Sequence, residues 1–151
     1  MSAIRRWSGV IALEGILSVD DRFVEADALT FDGPRPLLRY AADDTEYARA
    51  ETLGTIDSIE RVGRQVRAHG DLVEGATLAV GDVLALGGGG FQWKTDGDVT
   101  VVTAGRISYV AALAPGERSA WADCRVLTVT EHSGQHLQGC VTCYRAVEAS
   151  A

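Results

Sequence analysis

The chain has 151 residues, 46% of them hydrophobic and 23% charged, enough for one domain that buries about 70% of the surface its unfolded chain would expose. Fourteen basic residues against twenty-one acidic ones leave a net charge of −7, with no basic cluster longer than Arg5-Arg6, which argues against a nucleic-acid partner. No apolar run approaches the roughly 20 residues of a membrane helix, the start lacks the apolar core of a secretory signal, and three cysteines with only Cys140 and Cys143 close together suit a reducing compartment better than a disulfide framework.

In chain order, residues 7–15 are β-branched and apolar and close on a glycine, which predicts a largely buried first strand. Ser18-Val-Asp-Asp-Arg is a polar turn suited to Asx-type backbone bonding. Residues 23–31 fit either a strand or one helical turn around Ala26-Asp-Ala-Leu. Asp32-Gly-Pro-Arg-Pro breaks regular structure, and residues 37–40 resume an extended run. Residues 41–51 are the most polar stretch and predict a solvated loop. Residues 53–61 read as a strand with a bulge, Val62-Gly63-Arg64 as a turn, and residues 65–71 as the second arm of a hairpin, with Val66 and Ala68 on one face and Arg67 and His69 on the other. Residues 72–86 are ambiguous between two short strands and a frayed helix, because Gly75 and Gly81 each cost a helix about 1 kcal/mol.

Next comes Leu84-Ala-Leu followed by Gly87, Gly88, Gly89 and Gly90 and then Phe91-Gln-Trp93. Four glycines offer only backbone, at roughly 0.5–1 kcal/mol each relative to alanine, so the run is expected to be a loop whose backbone either packs tightly or makes a contact. Thr95-Asp-Gly-Asp is a turn with Asp-Gly at its centre. Residues 99–104 form a strong strand that Gly105 is expected to break, and residues 106–113 alternate again. Ala114-Pro-Gly-Glu turns into residues 119–123 and a strand over 124–130, and residues 141–147 read as a last strand. Many short strands at even spacing predict a mostly-β barrel or sandwich in a single domain over residues 1–151, with its core at about 5–130 and a C-terminal hairpin or tail at 131–151.

The densest set of metal-type ligands is His132, His136, Cys140 and Cys143, four residues that could close a zinc tetrahedron. Against this, residues three apart on a regular strand face opposite sides, which would separate the two thiols. No other cofactor is implied: the glycine run lacks the lysine and following helix of a phosphate loop. Carboxylates Asp43, Asp44, Glu46 and Glu51 read as a solvated face. Ser58 or Ser108 with His69 would be a hydrolase dyad, but no nucleophile-elbow glycines flank either serine. Trp7, Trp93 and Trp121 read as core or barrel-end packing, unless exposure makes one an interface anchor.

The order of several short motifs resembles phage prohead (capsid maturation) proteases. They are Trp7-x-Gly-Val-x-Ala-x-Glu-Gly, Ser18-x-Asp-Asp-Arg, Ala28-Leu-Thr and Pro34-x-Pro-Leu-Leu, then Leu53-Gly-x-Ile-Asp-x-Ile-Glu-Arg, Val66-Arg-Ala-x-Gly, Thr103-Ala-Gly-Arg-Ile and Ala111-x-Leu-Ala-Pro. The resemblance spans residues 5–127 and implies an assemblin-like fold, a closed β-barrel with a few short helices. Family proteases use a histidine base, which belongs in residues 41–51, and a serine nucleophile, which belongs where Gly87, Gly88, Gly89 and Gly90 stand. Neither is present, and glycine cannot attack a carbonyl. What the resemblance then implies is a pseudo-protease of the virion capsid, made in the host cytoplasm, that binds the major capsid protein as a decoration or accessory homo-oligomer, with no nucleic acid or membrane partner. Its candidate interface residues are Gly87, Gly88, Gly89, Gly90, Phe91, Trp93, Asp43, Asp44 and Glu46. The enzyme alternative is an active maturation protease with displaced catalytic residues, and a zinc-stabilised β-domain is the third reading.

Overall fold

The β-branched stretch Val99–Ala112 extends without interruption as one long strand, and the other elements gather along it and along the first strand. The computed structural model describes residues 3–39, 51–114 and 116–133. They form ten strands: β1 (Ala3–Leu13), β2 (Arg22–Val24), β3 (Leu29–Thr30), β4 (Arg35–Arg39), β5 (Glu51–Ile56), β6 (Ser58–Val62), β7 (Gln65–Leu72), β8 (Leu84–Asp96), β9 (Val99–Ala112) and β10 (Val126–Ser133). All belong to one mostly antiparallel sheet.

Along one edge of β9 runs β8, antiparallel over nearly its whole length. Along the other, β2, β3 and β4 dock in succession, each parallel to β9, at Arg22↔Thr100, Leu29↔Gly105 and Leu37↔Val110. Residues 23–31 thus form neither one strand nor a helical turn but two short strands, and the extended run expected from residue 37 lies in β4. The chain leaves β9 between contacts at Asp27, which takes a left-handed φ of 62°, and at Gly33. Gly105 does not break β9, for a reason that belongs to the site below.

The second organising strand, β1, has β10 on one side and β7 on the other. The expected bulge splits residues 51–62 at Asp57, whose N–H donates to the His69 carbonyl at 2.7 Å: β5 then pairs with β4 and β6 with β7. The strands cross closely where β5 meets β7. Cβ atoms added at Gly54 or Gly70 would overlap the carbonyls of Asp71 and Thr55, and the Trp7 indole N–H donates to that same Thr55 carbonyl at 3.0 Å. Trp7, Ile11, Leu29, Leu37, Leu53, Ile56, Leu84 and Ile107 fill the core.

Two expectations are corrected. Among the described residues there is no helix: residues 73–82 are two turns joined by irregular backbone, with Gly75 and Gly81 at φ of 81° and 94°, values a helix cannot accommodate. Nor does the sheet close into a barrel. The start of β8 meets the segment before β10 only through an isolated Val83↔Arg125 bridge, with Leu84 N–H to Cys124 O and Val126 N–H to Asp82 O at 2.9 Å. Three register shifts between Gly87 and Trp93 follow, bulges of the kind that bend and twist a strand, and beyond them β8 has β9 alone as a described neighbour.

Glu14, just past β1, is 5% exposed and makes a two-point ion pair with Arg61 of β6, at 2.7 and 3.0 Å. Its Oε2 also accepts the Leu29 N–H at 3.3 Å, while Arg61 Nη2 donates to the Leu29 carbonyl at 2.6 Å. Burial pushes the Glu14 carboxyl up, but Arg61 and the backbone donors outweigh it and hold the group below its ordinary value of 4.5. A depressed folded-state value contributes stability above pH 4.5 that is lost as pH falls through the folded value. Glu14→Gln should therefore lower the unfolding free energy by about 2–3 kcal/mol at neutral pH, since Arg61 keeps some water contact. In urea melts across pH the gap between variant and wild type should narrow on the acid side.

Candidate functional site

The glycine run is not a loop. Gly87, Gly88, Gly89 and Gly90 lie inside β8, and the space of the missing side chains at Gly87 and Gly88 is taken by neighbouring rings. A Cβ on Gly87 would overlap the Tyr109 ring, and Cβ atoms on Gly88 or Gly105 would overlap the ring of Phe91. Phe91 therefore lies across the backbone of both β8 and β9, an aromatic ring covering sheet glycines. That is why Gly105 can sit inside a strand. Gly90, at φ 61°, supplies the bulge that turns Phe91 back over Gly88. Of the two roles the sequence left open for the run, tight backbone packing is the one observed.

Beyond Gly90, β8 emerges from the body as an exposed arm, joined to β9 through a turn at Gly97. Phe91, Trp93 and Thr95 alternate onto one face and line a pocket of about 360 Å³. Ile11, Val24 and Leu29 form its buried floor, Trp121 and Ser119 stand across from the arm, and Arg22 is at the rim. The Trp121 indole N–H is fixed by the Ile16 carbonyl at 2.8 Å. Trp93 is 68% exposed and Phe91 37%; Ile16, Leu17 and Val19, beside Trp121, are exposed as well. An apolar pocket with an exposed aromatic and aliphatic rim is a candidate binding surface, since isolated surface aliphatics are ordinary but contiguous ones are not.

The other site residues are distributed as follows. Asp43, Asp44 and Glu46 lie outside the described residues, as do His136, Cys140 and Cys143. His132 is in β10, its backbone opposite Ile4. Among the described residues no group of three or more metal-type ligands assembles. His69 does share a face with Arg67, yet it is 6% exposed, and its Nε2 lies 3.1 Å from Glu60. Ser58 is its cross-strand neighbour in β6 and Ser8 its neighbour in β1. Ser8 is bonded to Thr128 at 2.5 Å, and Nδ1 of His69 is buried with no hydrogen-bond partner among the described residues. Ser108 lies on β9, which is not a neighbour of β7. A base acting on a nucleophile needs contact at about 2.6–3.2 Å, and none of these serines makes it. Cys124 is buried, and burial pushes its thiol up to about 12, so it is an inert core residue.

What sequence reasoning missed was the pocket itself. Its walls come from β1, β2, β3, β8, β9 and residues 119–121, and no local motif joins them. The available signal was the Phe-x-Trp-x-Thr alternation directly after a glycine run. Comparisons with protein-family models, curated proteins and solved structures find no match to this chain.

Two outcomes are expected. Gly87→Ala and Gly88→Ala should each destabilise the fold by about 1–3 kcal/mol through overpacking, whereas Gly89→Ala, whose Cβ meets Ser108 Oγ at 3.3 Å, should be near neutral in the same thermal melts. In native protein Cys124 should resist iodoacetamide and become labelled on unfolding, as read by peptide mass spectrometry.

Proposed function

We propose that this chain is a non-catalytic, capsid-associated phage protein, a decoration or accessory subunit that binds the major capsid protein in several copies on a protease-derived fold. The observation that carries the reading is the β8 arm, where Phe91 and Trp93 stand exposed beside an apolar pocket. Large aromatics half out of water are the residue types that anchor protein interfaces. The order of the prohead-protease motifs supplies the capsid context. Of the four positions assigned to that family's nucleophile, Gly87 and Gly88 lie beneath the rings of Tyr109 and Phe91 and leave no room for a serine. The assemblin-type relation belongs to the same proposal, on a mostly-β sheet that does not close into a barrel.

The enzyme reading, a maturation protease with displaced residues, has one point in its favour, the His69–Glu60 pair, and against it no described serine is hydrogen-bonded to His69. The two separate on particles. Mature virions should contain the protein at a fixed, symmetry-related ratio to the major capsid protein, by quantitative mass spectrometry, with capsid termini unchanged in a His69→Ala variant. Presence only in procapsids, with capsid cleavage dependent on His69, would establish the protease instead.

A further inference from the structure

We propose that the edge of β8 facing away from β9, unpaired among the described residues, captures an extended, basic segment of a partner protein by strand addition, and that an apolar side chain of this segment fills the pocket beside Trp93. The proposal rests on the binding-module reading and specifies how binding occurs.

β8 and the segment before β10 are joined at the Val83↔Arg125 bridge and separate from there, and the pocket lies between them, with Phe91 and Trp93 on one bank and Ser119 and Trp121 on the other. Past the bulges, β8 regains a regular ladder at Trp93↔Val102, Lys94↔Val101, Thr95↔Thr100 and Asp96↔Val99. Only one edge of those residues is used by β9, and all four are exposed. A regular exposed edge offers unsatisfied N–H and C=O groups to another chain, and proteins ordinarily protect such edges. Here the bulges protect the residues before Trp93 and leave the outer end open.

Strand addition draws affinity from main-chain hydrogen bonds and specificity from pockets that receive alternate side chains. Both parts are present. Side chains of an added strand would alternate in step with Trp93 and Thr95, so every second one would face the pocket. A pocket of about 360 Å³ is small by ligand-site standards and suits one or two large apolar side chains. Exposed Ile16, Leu17 and Val19 extend the apolar surface past Trp121.

Charge sets the partner's sign. Around the arm's outer end the two cations are already matched, Arg22 to Asp20 at 3.2 Å and Lys94 to Glu25 at 3.9 Å. Asp21, Asp96 and Asp98 add three further carboxylates, and Asp21 is held there by its carbonyl, which accepts the Thr100 N–H at 3.0 Å. An incoming strand with lysine or arginine at the end nearest the Gly97 turn is favoured, and an acidic one is repelled.

The test uses the full chain and a displayed library of random peptides. Selected peptides should alternate apolar and polar residues and carry basic residues at one end. N-methylation of the best peptide should abolish binding at every second backbone position and be tolerated between, the signature of one hydrogen-bonded edge. Amide exchange at residues 93–96 should slow on binding. Trp93→Ala, and Thr95→Arg as a second exposed-position variant, should each weaken binding about tenfold or more with circular dichroism unchanged. Failure to select any such peptide, N-methyl sensitivity without a period of two, or binding indifferent to both variants would overturn the proposal. So would a concentration-dependent dimer in sedimentation that Trp93→Ala dissolves, since a second copy would then occupy the edge. Peptide capture by a protein missing from virions would leave the edge standing and sink the capsid reading. A fixed virion ratio without peptide capture would do the reverse.

Discussion

The contact on which the rest depends is the Glu14–Arg61 pair and the use it makes of Leu29. β3 is two residues long and has β9 on one side. On its other side, where a sheet would supply a further strand, the Glu14 carboxylate accepts the Leu29 N–H and the Arg61 guanidinium donates to the Leu29 carbonyl. An ion pair thus takes the place of a neighbouring backbone. It satisfies two buried polar groups that would otherwise be costly, and ties β1, β3 and β6 together at one point. Leu29, fully buried below, is also part of the pocket floor. The charge pair and the pocket therefore share a residue, and the position of one sets the shape of the other.

The glycine run follows a related logic with the opposite means. Where Leu29 is stabilised by added side chains, Gly87, Gly88 and Gly105 are stabilised by rings that occupy the space of missing ones. The arrangement brings an aromatic side chain flat onto two strands at the point where the sheet stops being a body and becomes an arm. Packing behind the bulge is dense, and the surface beyond it is open. A rigid base under an exposed arm lowers the ordering cost that any partner would have to meet.

Local pattern carried most of the strand assignments. Period-two alternation over residues 65–71, the Gly63 and Gly97 turns and the β-branched run at 99–104 each appear where the sequence implies them, because each is decided by near neighbours. Three features were not legible for the same physical reason. Gly105 reads as a breaker until Phe91, fourteen positions earlier, is known to lie on it. His69 reads as half of a polar face until Glu60 and burial are taken into account. Residues 22–39 cannot be divided into three short parallel strands without β9, which supplies the partner for all of them. Long-range pairing, not propensity, decided each one.

The dependence of β2, β3 and β4 on β9 has a consequence for how the chain comes to be folded. During synthesis β2 and β3 are complete long before their docking strand exists, and at three and two residues neither is long enough to hold a partner alone, while β4 pairs with β5 before β9 is made. The β8–β9 hairpin closes over a short loop and can form quickly, but the contacts that seat the N-terminal strands against it join distant parts of the sequence. Folding should thus be gated by the emergence of residues 99–112, with the early strands exposed until then and dependent on speed of translation or on a chaperone to avoid pairing with one another's copies.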